Sequence, residues 1–239
     1  MSNEFANAVV MVAGGTGGLG RAVTLAFLNH GATVVVSYLS PGEWEQIQMA
    51  AGDSRSRLEG FHVDVTDESA VRACVDGILA KYQKLDAVVN AVGGYAGGVK
   101  LWDLDPKVWD KMFALNLRSG LVLSRVVVPA MLKQLSGSIV NIASKAAFDH
   151  GSGAAAYVAS KAAAVAMIDS LAADLAGTGV RANSILPSII DTEANRRAMP
   201  AADFSKWPKP EQIAEVILFL CSPAAKVIHG AAIPVYGNS

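Results

Sequence analysis

Short runs of β-branched and apolar residues alternate along this chain with longer stretches whose apolar positions recur every three or four residues. The first run, residues 8–13 (AVVMVA), reads as a buried strand, and GRAVTLAFLNHG after it as a helix closed by Gly31. A second strand follows at 33–37 (TVVVS), then a helix near 42–51 and a third strand at 60–65 (GFHVDV). The stretch 66–82 opens with Thr66 or Asp67 as N-cap and keeps helical spacing. Strand 85–90 (LDAVVN) leads into a long helical region from 105 to about 133, and strand 138–142 (SIVNI) into a loop and an alanine-rich helix. VRANSILP (180–187) is a further strand. A helix near 211–220 can start at Pro210, and AAIPVY (231–236) is a last short strand. Strict β–α alternation with continuously apolar strands predicts an α/β fold: a doubly wound parallel sheet covered by helices on both faces. With no repeat, linker or break in composition, residues 1–239 read as a single domain.

Composition narrows the function classes. The chain is 52% hydrophobic with a net charge of −1, which leaves no basic footprint for nucleic acid or an anionic membrane. Uninterrupted apolar runs stop far short of the roughly 20 residues that span a bilayer, and MSNEFANAVV has no basic start for a signal peptide. Cys74 and Cys221 form no CxxC and read as reduced thiols of a cytoplasmic protein. His30, His62, His150 and His229 are scattered, so no metal site is expected.

Two motifs carry chemistry. In VAGGTGGLGRA, Gly14, Gly18 and Gly20 fall between the first strand and the first helix. A doubly wound sheet needs a tight turn there, with close backbone approach to a pyrophosphate at the helix N-terminus. In GAAAYVASKAAAV, Tyr157 and Lys161 stand four residues apart on one face of a helix, among alanines too small to shield them. Spacing alone equally describes an exposed surface pair.

Taken in order, the GxxxGxG turn, DVTD after the third strand, NAVG after the fourth, IVNIAS, and YVASK resemble the short-chain dehydrogenase/reductase family across essentially the whole chain. The resemblance implies a Rossmann fold and an NAD(P)-dependent hydride transfer between a nicotinamide and a small carbonyl or alcohol. It places a catalytic tetrad on Asn116, Ser144, Tyr157 and Lys161. A free phenol has a pKa near 10, and a lysine one turn away is expected to favour its phenolate. Ser144 would hold the substrate oxygen, Asn116 would support a water chain to Lys161, and Lys161 would also bond the nicotinamide ribose. Further cofactor positions implied are Thr16, Gly17 and Leu19 in the first turn, Tyr38, Asp64 with Val65, and Asn90, Ala91 and Val92. In PSIIDT they are Pro187, Ile190 and Thr192. NAVG departs from the family's NNAG, and Ser188 replaces the glycine of PGxxxT.

At the end of the second strand, Tyr38 stands where NAD-preferring members carry an acid and Leu39 at a frequent arginine position. With no carboxylate there and with Ser37 and Ser40 as donors, the reading leans slightly to NADP over NAD. Residues 193–208 are expected to form a substrate lid, with Met199, Phe204 and Trp207 as its apolar face and Arg196 or Arg197 meeting an anion. The same segment and AVGGYAGG resemble dihydropteridine reductases, so quinonoid pteridine reduction is an alternative, as is a catalytically silent dinucleotide-binding scaffold. The smooth face Ala155, Ala159, Ala162 and Ala166 points to a homodimer or homotetramer.

Overall fold

The computed structural model describes residues 4–238. Seven parallel strands, β1 (Val9–Ala13), β2 (Thr33–Tyr38), β3 (Leu58–His62), β4 (Ala87–Asn90), β5 (Gly137–Ile142), β6 (Val180–Pro187) and β7 (Ala232–Val235), lie in the order β3-β2-β1-β4-β5-β6-β7. The order reverses between β1 and β4, which opens a crevice at the strands' C-terminal ends, where sheets of this kind bind ligands. In β1 the period of two is visible: Val10 and Val12 join one apolar layer, Val9, Met11 and Ala13 the other, and all five are buried.

Helices α1 (Gly18–Asn29), α2 (Pro41–Ala50) and α8 (Pro210–Cys221) cover one face, where Phe27, Leu28, Ile213 and Ile217 pack on β1 and β2. The other face is covered by α3 (Glu68–Tyr82), α5 (Ser119–Gln134) and α6 (Ala155–Asp174), through Val71, Ile78, Val126, Met131 and Ile168. Asp67, not Thr66, caps α3, accepting from the backbone of Ser69 and Ala70. Pro210 opens α8 as its spacing requires.

Three details differ from the sequence reading. Strand β3 starts two residues and ends three residues earlier than expected. Gly60 lies against the Trp44 ring, where a Cβ would approach to 2.6 Å, and the Asp64 carboxylate ends the strand by accepting from Thr66. The long helix after Asp105 is α4 (Pro106–Phe113) joined to α5 by one π-helical turn, Ala114–Arg118. Residues 193–208 contain a short helix α7 (Glu193–Ala198), capped by Thr192.

Although no uninterrupted apolar run spans a bilayer, 106–134 and 155–174 each contain an 18-residue window of mean hydropathy 1.3. Their apolar residues cover the sheet, but less than half of either window is buried. Leu121 and Ala166 remain exposed.

Candidate active site

The ends of β4, β5 and β6 and one face of α6 surround a cleft of about 790 Å³ whose walls include Tyr95, Ser144, Tyr157, Lys161, Ser188 and Met199. Ser144 follows β5 and does two jobs. Its hydroxyl caps a short turn by accepting from the Ala146 N–H at 3.1 Å, and it hydrogen-bonds the Tyr157 phenol. Burial lifts Tyr157 above the ordinary phenol value; the Ser144 bond opposes that rise and nearby Tyr95 adds to it. The Tyr157 side chain is therefore a neutral acid at neutral pH.

Lys161, one turn on, is buried and donates to the Ile142 carbonyl at 2.8 Å. Desolvation brings its ammonium down to about 8, so it still carries most of a charge at pH 7. The expectation that Lys161 draws Tyr157 towards phenolate has no counterpart in this arrangement. One of the ammonium's three donors goes to the Ile142 carbonyl, and burial dominates at the tyrosine.

Asn116 sits in the π-helical turn, a feature that often marks functional sites. Its Oδ1 accepts from the Gly94 N–H at 2.9 Å, and its Nδ2 donates to the Gly94 carbonyl and to Ser160 Oγ. A Cβ at Gly93 would lie 3.0 Å from Asn116 Oδ1 and 3.1 Å from Lys161 Nζ. Glycine there lets the two side chains flank the same backbone. Asn116 does not itself line the cleft; it fixes the segment that does.

The first turn is shaped by missing side chains. Gly14 has φ +70°, and a Cβ at Gly20 would fall 2.1 Å from the Gly14 carbonyl oxygen. Helix α1 opens on Gly17 and Gly18 with no side-chain cap, so its first N–H groups face outward. Thr192 overhangs Gly18, with its Cγ2 3.1 Å from where a Cβ would stand. These features fit a dinucleotide pyrophosphate.

Of the sequence-predicted cofactor residues, Leu19, Ala91, Val92, Tyr157, Lys161, Pro187 and Ile190 line the cleft. Gly14, Thr16, Gly17, Gly18 and Gly20 build the neighbouring turn. Four other predicted residues make contacts within the fold. Asn90 donates to Asn141 Oδ1 and Ser119 Oγ and accepts from the Val92 N–H, inside the sheet. Val65 belongs to the core, and the Asp64 carboxylate serves its own turn. Tyr38 stacks on Trp44, with ring centroids 5.2 Å apart.

The segment 193–208 also differs in part. Asn195, Ala198 and Met199 reach the cleft, but Phe204 and Trp207 pack on each other instead. Arg196 pairs with Asp191 and lies over Phe204, and Arg197 pairs with Glu193. Both arginines are engaged in the segment's own structure. Two residues that the sequence reading left without a role stand in or near the site. Tyr95 contacts Tyr157 edge-on, 5.0 Å between centroids, and Glu43 accepts a hydrogen bond from Thr16.

A family model described as short chain dehydrogenase matches residues 8–203. The chain is 30% identical over 238 residues to 3-oxoacyl-acyl-carrier-protein reductase of Thermotoga maritima, covering 96% of each chain. It is 33% identical over 239 residues to D-threitol dehydrogenase of Mycolicibacterium smegmatis, covering 96% of this chain and 92% of the relative. A solved short-chain type dehydrogenase/reductase from Mycobacterium ulcerans superposes with a TM-score of 0.93 at 25% identity, covering 100% of this chain and 90% of the other.

Proposed function

This chain belongs to the short-chain dehydrogenase family, and from that premise we propose how its cleft divides the work of the reaction. The protein is an NAD(P)-dependent oxidoreductase acting on a small carbonyl or alcohol. When bound, the nicotinamide supplies or accepts the hydride. Tyr157 gives its phenolic proton to the carbonyl oxygen in reduction and takes it back in oxidation. Ser144 holds that oxygen beside the phenol. Lys161 presents its cation to the ribose hydroxyls, and Asn116 is a positioning residue that keeps Gly94 and Ser160 in place. The observation that carries this reading is the Ser144–Tyr157 hydrogen bond in a cleft that Lys161 also lines.

The relatives' names span a carrier-bound ketoacyl group and a sugar alcohol, so the cleft of this chain, rather than kinship, selects the substrate. A second reading, reduction of a quinonoid pteridine, is favoured by Tyr95, whose exposed ring beside Tyr157 suits a flat heterocycle. Residues 193–208 act as a lid. Its feet are joined by the Asp191 N–H donating to the Pro208 carbonyl at 3.0 Å, and Met199 faces the cleft. The protein works in the cytoplasm as a homodimer or homotetramer, and a second copy covers the apolar surface left on α4, α5 and α6, where Trp109, Leu121 and Ala166 are exposed.

Turnover with NADH and NADPH over a panel of ketones, alcohols and quinonoid pteridines tests the activity. Carbonyl turnover supports the first reading, and turnover confined to pteridines the second. Cofactor binding without any turnover would return the silent-scaffold reading. Hydrogen exchange in 193–208 should slow when cofactor and substrate analogue bind. Light scattering should give at least a dimer that Ala166→Glu weakens.

A further inference from the structure

Glu43 occupies the third position of α2, behind the N-cap Ser40, whose Oγ accepts from the Glu43 N–H at 3.3 Å. A glutamate in that position ordinarily reaches back to the N-cap backbone. Here its carboxylate instead accepts from Thr16 Oγ1 at 3.0 Å, bridging α2 to the glycine turn across 27 residues of sequence. Thr16 is buried between Gly14 and Gly18, and the Gly14 N–H donates to Ser37 Oγ of β2 at 3.0 Å. Glu43 therefore stands beside the junction of the first turn and β2, the side of a dinucleotide site that meets the adenosine ribose.

The acid that meets a ribose 2′-hydroxyl in such folds comes about 20 residues after the glycine turn. Glu43 satisfies that spacing from a helix rather than from the end of the strand. The strand-end residue, Tyr38, has its ring stacked on Trp44 at an interplanar angle of 5° and tilted against His62.

Resting on the NAD(P) reading above, we propose that Glu43 is the specificity-determining residue for the adenosine end of the cofactor. Its carboxylate accepts from a ribose 2′-hydroxyl and repels a 2′-phosphate. Ser40, partly exposed at the start of α2, offers a hydroxyl to either form, and Glu43 sets the ratio between NAD and NADP.

The test is equilibrium binding by calorimetry, with no turnover required, on wild type, Glu43→Gln and Glu43→Lys. The probes are NADPH, NADH, adenosine 2′,5′-bisphosphate and adenosine 5′-monophosphate. Removing a like charge from beside a phosphate should raise the NADPH-to-NADH affinity ratio about tenfold or more in Glu43→Gln, and further in Glu43→Lys. The two adenosine fragments, which lack the nicotinamide, should show the same shift. Melting temperatures near wild type identify variants that are folded. A ratio that stays within about twofold in both folded variants overturns the proposal while leaving the oxidoreductase reading intact. A wild-type protein that binds none of the four probes overturns both.

Discussion

Above β4, β5 and β6 the cleft is made by side chains that reach one another. Ser144 bonds Tyr157, Lys161 bonds the Ile142 carbonyl, and Asn116 clamps Gly94. Above β1 and β2 it is made by side chains that are missing, at Gly14, Gly15, Gly18 and Gly20, where a Cβ would meet a neighbouring atom at between 2.1 and 3.1 Å. The first half holds groups whose protonation burial has moved; the second holds turn geometry and a helix start without a side-chain cap. The contrast implies that damage to the first half falls on the chemical step, whereas damage to the second falls on cofactor affinity.

The largest effect is expected at Tyr157. Removing a general acid costs about 10²–10⁴-fold in rate, so Tyr157→Phe should lose that much in kcat while its calorimetric cofactor Kd stays within a few-fold. Near-normal turnover would remove Tyr157 from the reaction. Lys161→Met crosses the boundary, because it should lose both turnover and cofactor affinity. It should also change stability in a pH-dependent way. The folded value of about 8 lies below the ordinary 10.5, so between those values the unfolded chain binds more protons and wild-type stability rises with pH. Below 8 the full cost of the buried charge remains. Lys161→Met should therefore be up to about 3 kcal/mol more stable than wild type at neutral pH, with the gap closing towards pH 10.5 in denaturant titrations. A gap that does not change with pH would show that the charge is not what Lys161 costs the fold.

In the other half, Gly20→Ala forces a methyl group against the Gly14 carbonyl. Overpacking of this kind costs about 1–3 kcal/mol. Cofactor affinity should fall, with kcat at saturating cofactor close to wild type; a loss confined to kcat would erase the distinction between the halves. The smallest effect is expected at Arg196→Ala, which removes the contacts to Asp191 and Phe204. Melting temperature and kcat should stay near wild type, while hydrogen exchange in 193–208 quickens and KM rises a few-fold. Unchanged exchange would mean that the segment is held by other packing.

The same division explains what could be read from sequence. Strand–helix alternation is local, and so is the four-residue spacing that puts Tyr157 and Lys161 on one helical face. The glycine turn is legible because only glycine tolerates its geometry. What escaped was tertiary. Gly60 lies in the middle of β3, under the ring of Trp44 from α2, a contact between two separate elements. The π-helical turn that aims Asn116 has no local signature in ALNLR. One of Arg196 and Arg197 is expected to meet an anion, but carboxylates within five residues pair with both. Glu43 has no role in the sequence reading, because its bond to Thr16 exists only once α2 is packed against the glycine turn.

The proposed reaction passes a hydride from cofactor to carbonyl carbon while Tyr157 supplies the proton, and an isotopic label on the nicotinamide follows that transfer. Wild type and Tyr157→Phe would be given NADH or NADPH deuterated at the transferring position of the nicotinamide, together with a carbonyl turned over in the panel. The product alcohol should carry the deuterium on carbon with wild type and be nearly absent with Tyr157→Phe, although that variant still binds the cofactor. Deuterium released to water, or a labelled product formed equally well by the variant, would contradict the account.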